Sequence, residues 1–319
     1  MIKLGIAGVS EGNGHPFSFS AIINGYDEDK FVEADWPFIL QYLKSALGGQ
    51  KGIKGARVTH AWTQDREITA KLCAATKIEN QCEDLSEMLG EIDALIIARD
   101  DWESHYEIAK LFLENDIPVF IDKPLSLNDE DIHFFTPFLF SGKLMTCSGF
   151  RYAKELSIKN DILSDLGPLK LISGVVVNDF NKYGIHLLEA AMGLIHFSPT
   201  YCKVSRNYAQ HDSFTLEFED GLIFHIDCLG IHKKVFHLSF FGNNDEYHID
   251  LRDNFSAFKT TLEQFLIMVK ESQPPINPHE TLMMMRILQS ARELSQGEHK
   301  EIVYKMDKSF EGANNADGR

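Results

Sequence analysis

Asp122 and Lys123 set a carboxylate beside an ammonium immediately before Pro124, in the run Ile117-Pro-Val-Phe-Ile-Asp-Lys-Pro-Leu125. Val119, Phe120 and Ile121 are β-branched or aromatic and read as a buried strand that Pro124 stops. Such a strand delivers both charges to the carboxyl end of a parallel sheet, where open α/β sheets bind ligands. The second chemical candidate is the glycine-rich stretch Gly8-Val-Ser10-Glu-Gly12-Asn13-Gly14-His15-Pro16. Glycines at a strand-to-helix turn let the backbone approach a pyrophosphate, and the helix N-terminus faces its charge. Gly8 stands at the first position of the dinucleotide fingerprint. The other two fingerprint positions hold Ser10 and Asn13, with Gly12 and Gly14 close by, so the turn is glycine-rich without matching the pattern. An extended loop of this kind still offers amide N–H groups to phosphate. His15 and Ser18 lie where they could touch phosphate or substrate.

These residues need a sheet to position them, and the first half of the chain supplies its pattern. Ile2 to Val9, Arg57 to Thr63, Ile92 to Ala98 and Ile117 to Asp122 read as strands. Phe17 to Gly25, Asp65 to Thr76 and Ser104 to Glu114 read as helices between them. This alternation means βαβ units and a parallel sheet, and right-handed crossovers make it doubly wound. Residues 26–56 are longer than a crossover needs and read as an insertion with an extra helix over Trp36 to Leu47.

After about residue 145 the pattern changes. Leu169 to Asn178, Phe214 to Phe218, Leu222 to Leu229, Val235 to Phe241 and Tyr247 to Leu251 read as strands joined by short turns, with Asp220-Gly221 a hairpin signal. Phe214, Leu216 and Phe218 alternate with Thr215, Glu217 and Glu219, giving one buried and one wetter face. Helices are expected over Ile185 to Leu194, Ala257 to Glu271 and Glu280 to Ser295. The fold class expected is α/β, an N-terminal Rossmann doubly wound parallel sheet plus a C-terminal α+β domain with a mostly antiparallel open sheet. The domains are placed at 1–123 and 124–305, with a polar disordered tail over 306–319.

Composition narrows the function. The 319 residues carry 31 Lys and Arg against 47 Asp and Glu, a formal net charge of −16, which argues against nucleic acid or an anionic membrane as partner. No apolar run approaches the roughly 20 residues of a membrane span, and the chain enters its first strand without a signal-peptide pattern. Five scattered cysteines without a CxxC pair fit reduced, mostly buried thiols and a cytoplasmic location. No metal site is expected. His225, Asp227, His237 and His248 fit the wetter face of a sheet better than a ligand set, and Met283 to Met285 fit core packing on an apolar helix.

The order of these motifs resembles the Gfo/Idh/MocA oxidoreductases, the family of glucose–fructose oxidoreductase and inositol dehydrogenase. That family's Glu-Lys-Pro motif here reads Asp122-Lys123-Pro124. Its strand, short loop and helix-initial histidine read Ile92 through Ala98, Arg99-Asp100-Asp101 and His105, and its later histidine segment reads Lys182-Tyr-Gly-Ile-His186. The resemblance covers about residues 1–305. It implies hydride transfer between a nicotinamide cofactor and a sugar or cyclic polyol, in a homo-oligomer (dimer or tetramer) formed through the C-terminal sheet.

The resemblance makes Lys123 and His186 the catalytic residues. Imidazole suits an acid/base task near neutrality, and an ammonium stabilises developing alkoxide charge. Gly8, Ser10, Gly12, Asn13, Gly14, Thr63, Arg66, Arg99 and Asp122 fall at cofactor-binding positions, and Lys182 and His15 at substrate-binding ones. Thr63 stands where many relatives hold a ribose-binding Asp, and Arg66 follows it, which tilts the cofactor toward NADP over NAD. Arg99 sits where nicotinamide ribose or pyrophosphate would pass. The altered glycine loop, Arg99 and Lys182 leave a second reading open: a redox-inactive ligand-binding or regulatory protein on the same fold. Recycled-cofactor chemistry, epimerisation or glycoside cleavage, is a third. If the helix has begun at Lys182, Lys182 and His186 share a face, and a second cation there suits an anionic sugar. Lys182→Ala is then expected mainly to raise KM for an anionic substrate, and an unchanged KM contradicts that assignment.

Overall fold

The computed structural model describes residues 1–46, 51–156, 164–195, 201–207, 210–297 and 300–305. The expected tail over 306–319 lies outside them. The chain forms two compact units, Met1–Ser157 with Leu188–Leu194 and Leu251–Met285, and Ile158–Leu187 with Ile195–Asp250 and Arg286–Arg319.

The first unit is built on six strands, β1 (Ile2–Ala7), β2 (Ala56–Trp62), β3 (Asn80–Gln81), β4 (Ala94–Ile97), β5 (Val119–Asp122) and β6 (Leu144–Cys147). Every pairing is parallel and the order is β3-β2-β1-β4-β5-β6. The order reverses between β1 and β4, so the ligand crevice of such a sheet falls at their carboxyl ends. β4, β5 and β6 are buried along their whole length, as expected of strands covered on both faces.

Helices α1 (His15–Asn24), α2 (Glu28–Glu33), α3 (Pro37–Ser45), α4 (Arg66–Thr76), α5 (His105–Leu113) and α6 (Asp129–Phe140) follow the strands. Side-chain caps set several starts. Asp65 accepts from the Glu67 and Ile68 N–H groups at α4, and Asn128 from Glu130 and Asp131 at α6. The expected insertion holds both α2 and α3, of which α3 alone was anticipated. β6 and α6 continue the parallel sheet beyond residue 123, where the sequence reading set the domain boundary. Pro137 inside α6 and the brevity of β6 weakened both signals.

The second unit holds strands β7 (Leu169–Val176), β8 (Tyr201–Arg206), β9 (Asp212–Phe218), β10 (Ile223–Cys228), β11 (Phe236–Gly242), β12 (Glu246–Asp250) and β13 (Glu301–Lys305), in the order β12-β11-β7-β10-β9-β8-β13. Only β7 and β10 pair parallel; the rest are antiparallel. Phe214, Leu216 and Phe218 are buried as their alternation demands. β8 and β13 went unread because lysines, an arginine and a glutamate interrupt their apolar residues.

Three further helices lie among the described residues: α7 (Ile185–Leu194), α8 (Asn254–Glu271) and α9 (Pro278–Ser295). Met283, Met284 and Met285 on α9 are buried, and all five cysteines are free and buried. In the first unit a buried guanidinium ties α7 and α9 together. Arg151 reaches Glu189 of α7 at 2.7 Å and also pairs with Glu280 of α9. Gly193 permits the approach, since a Cβ there would lie 2.3 Å from the Arg151 carbonyl oxygen.

One cation faces two buried carboxylates in this cluster. Burial pushes Glu189 up to about 7 despite Arg151, and Glu280 adds to the rise. A carboxylate raised above its unfolded value stabilises the fold below the unfolded pKa and loses that contribution as pH rises through the folded pKa. Thermal stability is therefore expected to decline between about pH 5 and pH 8 more steeply in the wild type than in Glu189→Gln. Parallel melting profiles for the two proteins would show that Glu189 carries no such proton.

Candidate functional site

The site is assembled where β1, β4 and β5 end. Ile6 and Ala7 are buried against β2 and β4, and the chain then turns at Gly8, whose φ is +82°. The Gly8 N–H donates to the Trp62 carbonyl at 2.8 Å. The next residue is gripped by a side chain: Val9 N–H donates to Gln64 Oε1 at 3.2 Å, and the Gln64 amide donates back to the Val9 carbonyl. Ser10 to Asn13 close a tight turn through Asn13 N–H to the Ser10 carbonyl at 3.0 Å, with Gly12 at φ +75°. Asn13 Oδ1 then accepts the His15 N–H at 2.9 Å at the start of α1. The glycine stretch is thus a compact, internally bonded loop, lengthened relative to the dinucleotide fingerprint.

Asp122 is the centre to which that loop is tied. Its carboxylate, 3% exposed, accepts from His15 Nδ1 at 2.5 Å and from Asn13 Nδ2 at 3.2 Å through Oδ2, and from the Lys123 N–H at 3.0 Å through Oδ1. Burial alone would raise its pKa, but the charges of His15 and Lys123 and the bonds from His15 and Asn13 hold it well below the usual carboxylate range. The His15 ring stacks on Phe19 at 4.9 Å and meets the edge of Phe258 from α8 at 5.0 Å. A carboxylate fixing one imidazole nitrogen and leaving the other for a ligand is an arrangement suited to proton transfer.

Lys123 Nζ lies 3.5 Å from Asp100, which also accepts the Ser10 hydroxyl at 2.5 Å. Burial opposes ionisation of Asp100, yet Lys123 and the Ser10 bond hold its pKa below the ordinary value. Arg99 pairs with Asp101 through Nε at 2.8 Å and through Nη2. Fully buried His105 bridges the two loops, one ring nitrogen 3.0 Å from the Leu125 carbonyl and the other 3.0 Å from the Arg99 carbonyl. The Lys123–Pro124 peptide is cis.

The structure therefore brings Gly8, Ser10, Asn13, His15, Arg99, Asp122 and Lys123 together around one sheet edge, with Gly12 and Gly14 in the same loop. The two residues at the end of β2 behave differently. Thr63 is buried and its hydroxyl donates to the Asp65 carbonyl at 2.6 Å, serving the start of α4. Arg66 is 81% exposed and paired with Glu83, which is 65% exposed. Sequence reasoning missed Asp100, Asp101, Gln64 and Phe258 as site residues, because polar loop residues carry no period and Phe258 lies 136 positions from Asp122. His105 stood in the motif quoted above, but its use as a brace between two carbonyls has no sequence signature.

His186 and Lys182 lie in the second unit. A wide π-type turn over Phe180–Gly184, capped by Asp179 on the Lys182 N–H at 3.1 Å, precedes α7. Lys182 is exposed and lies in the π-type turn, ahead of the α-helix that carries His186. His186 is half-buried, its ring 5.3 Å from Tyr183 and 5.7 Å from Phe236. The sheet histidines are paired with neighbours, His211 with Asp227 at 2.9 Å and His237 with Asp250 at 2.8 Å, while His225 meets the Thr215 hydroxyl at 2.9 Å. Among the described residues, no three His, Cys, Asp or Glu side chains are placed to hold a metal, and no helix is long and apolar enough to cross a membrane.

Residues 42–134 match the model of the Gfo/Idh/MocA family, described as an oxidoreductase family with an NAD-binding Rossmann fold. No curated relative matches the chain. Among solved structures, the myo-inositol dehydrogenase of Lactobacillus casei in complex with NAD(H) and myo-inositol is similar at TM-score 0.73 and 14% identity, over 96% of this chain and 98% of that one. The myo-inositol dehydrogenase of Corynebacterium glutamicum follows at TM-score 0.70 and 13% identity, over 96% and 100%. GenD2 of gentamicin A biosynthesis, in complex with NAD, is similar at TM-score 0.69 and 13% identity, over 96% and 97%. The matched segment lies within the first unit, and the fold shared with these structures extends over nearly the whole chain.

Asp122 gives this geometry a direct test. A carboxylate with a depressed folded pKa stabilises the fold above its unfolded pKa and loses that contribution as pH falls toward the folded value. Asp122→Asn is expected to cost about 1–3 kcal/mol near neutral pH, a gap that narrows as pH falls below about 4. A gap unchanged down to acid pH would mean that Asp122 is not held as an anion.

Proposed function

We propose that the chain is an NAD(P)-dependent oxidoreductase acting on a CH–OH group of a sugar or cyclic polyol. The observation that carries this reading is the ionised Asp122 with Lys123 at the end of β5, bonded to the β1 loop at the point where the strand order reverses. A nicotinamide bound there would accept or give up the hydride. The residues fit such a group: Gly8 keeps the end of β1 bare of a side chain, and the stem of Arg99 brings a cation against it. Gly8, Ser10, Gly12, Asn13, Gly14 and Asp122 line this loop, and Thr63 and Arg66 stand at the β2 end, toward the adenosine side.

Lys123 would hydrogen-bond the reacting oxygen and stabilise its developing negative charge. The resemblance assigns acid/base work to His186, and substrate contacts to His15 and Lys182. The exposure of Arg66 supports NADP only in so far as a 2′-phosphate displaces Glu83. The solved relatives with NAD(H) and myo-inositol make cyclic polyols the first substrates to try. Assembly through the second unit's sheet and a cytoplasmic location belong to the same proposal.

A second reading keeps its place because of one observation. The loop amides of Gly8, Val9, Asn13 and His15 all have acceptors within the chain, as they would in a redox-inactive binding or regulatory protein. Titration with NADH and NADPH, followed by nicotinamide fluorescence, separates the two. Micromolar binding is expected, with myo-inositol and related polyols then screened for turnover, and His186→Ala and Lys123→Ala each lowering turnover by roughly 10²–10⁴-fold. Absence of binding by either cofactor in either redox state would leave the second reading.

A further inference from the structure

The side chain of Arg99 lies across the bare turn at Gly8. A Cβ built on Gly8 would fall 2.2 Å from Arg99 Cδ and 2.5 Å from Cγ, so the arginine stem occupies the space that the glycine leaves open. The backbone beneath it is fixed. Ala98 N–H donates to the Ala7 carbonyl at 2.9 Å, and buried His105 meets the Arg99 carbonyl at 3.0 Å. The guanidinium ends on Asp101, two nitrogens facing two carboxylate oxygens. A phosphate offers the same two-oxygen edge. The side chains of Arg99 and Asp101 are 15% and 35% exposed, so the pair is reachable from solvent.

Four of the loop's N–H groups already have acceptors within the chain. The N–H groups of Gly8, Val9, Asn13 and His15 are bonded to Trp62, Gln64, Ser10 and Asn13. Lys123 faces Asp100, and Arg66 faces Glu83 at the surface. In the usual Rossmann turn, backbone amides and a helix N-terminus meet the pyrophosphate. Here a side-chain guanidinium stem lies across the same turn.

We propose that Arg99 is the principal phosphate anchor of the dinucleotide site, and that Asp101 holds its guanidinium until a phosphate displaces it, acting as an internal competitor. This rests on the dinucleotide reading above and adds to it which residue bears the phosphate charge and which residue limits affinity. Binding is then an exchange of one anion for another on a fixed fork. The Asp101 carboxylate is released to solvent, and the guanidinium turns on a backbone that His105 keeps in place.

The test is a fluorescence titration of the full chain with NADH and NADPH in Arg99→Ala, Arg99→Lys and Asp101→Asn, with melting curves to confirm folding. Arg99→Ala is expected to weaken binding by roughly tenfold or more. Arg99→Lys, which keeps the charge and loses the fork, is expected to fall between it and the wild type, and it serves alone if the alanine variant does not fold. Asp101→Asn is expected to tighten binding by about threefold or more. Binding to Asp101→Asn alone, with none to the wild type, also supports the proposal. Unchanged binding in both Arg99 variants would overturn the anchor while leaving the dinucleotide reading intact, and unchanged or weaker binding in Asp101→Asn would overturn the competitor. No binding to any of the four proteins would remove the dinucleotide reading and this proposal with it.

Discussion

The arrangement of the site follows from the need to keep a buried carboxylate ionised. Asp122 ends a strand that is covered along its length, and an isolated carboxylate there would be strongly disfavoured. Three donors meet it, from His15, Asn13 and the next peptide N–H. Two of these belong to the β1 loop, so satisfying Asp122 draws that loop down onto the end of β5. The loop's tight turn, the capping of His15 N–H by Asn13 and the stacking of His15 between Phe19 and Phe258 are consequences of the same requirement. Phe258 brings α8 into this arrangement from a distant part of the chain, so the charged centre has an aromatic wall on one side.

A second regularity runs through the first unit. Each cation of the site has a resident anion: Lys123 has Asp100, Arg99 has Asp101, and Arg66 has Glu83. The same pattern appears in the interior, where Arg151 serves both Glu189 and Glu280. A chain with a net charge of −16 has more carboxylates than partners, and its cations are correspondingly engaged. Any anionic ligand must compete with a carboxylate for its counter-charge. Exposed pairs yield easily, because water screens both partners. Partly buried pairs such as Arg99 with Asp101 resist more, since separation leaves each charge less well solvated.

The parts of this structure legible in the sequence are those that repeat with a period or end at a marked residue. The βαβ alternation, the strand stopped by Pro124 and the alternating Phe214, Leu216 and Phe218 all have that character. Asp122, Lys123 and the glycine loop were legible as a site because strand ends place residues predictably. What remained hidden depends on contacts between remote positions. Gln64 clamps Val9 across 55 residues and Phe258 approaches His15 across 243, and neither pairing leaves a local trace. The stretch from Lys182 to His186 is a third case. There a π-type turn runs into an α-helix, a change of winding that local residue spacing does not announce.

Asp122 and the glycine-rich loop are linked by geometry. Aspartate is one methylene shorter than glutamate, so its carboxylate stays close to the end of β5. The loop brings His15 Nδ1 to 2.5 Å and Asn13 Nδ2 to 3.2 Å of that carboxylate. The loop that departs from the dinucleotide fingerprint is therefore an ordered part of the candidate site, tied down by the carboxylate it covers.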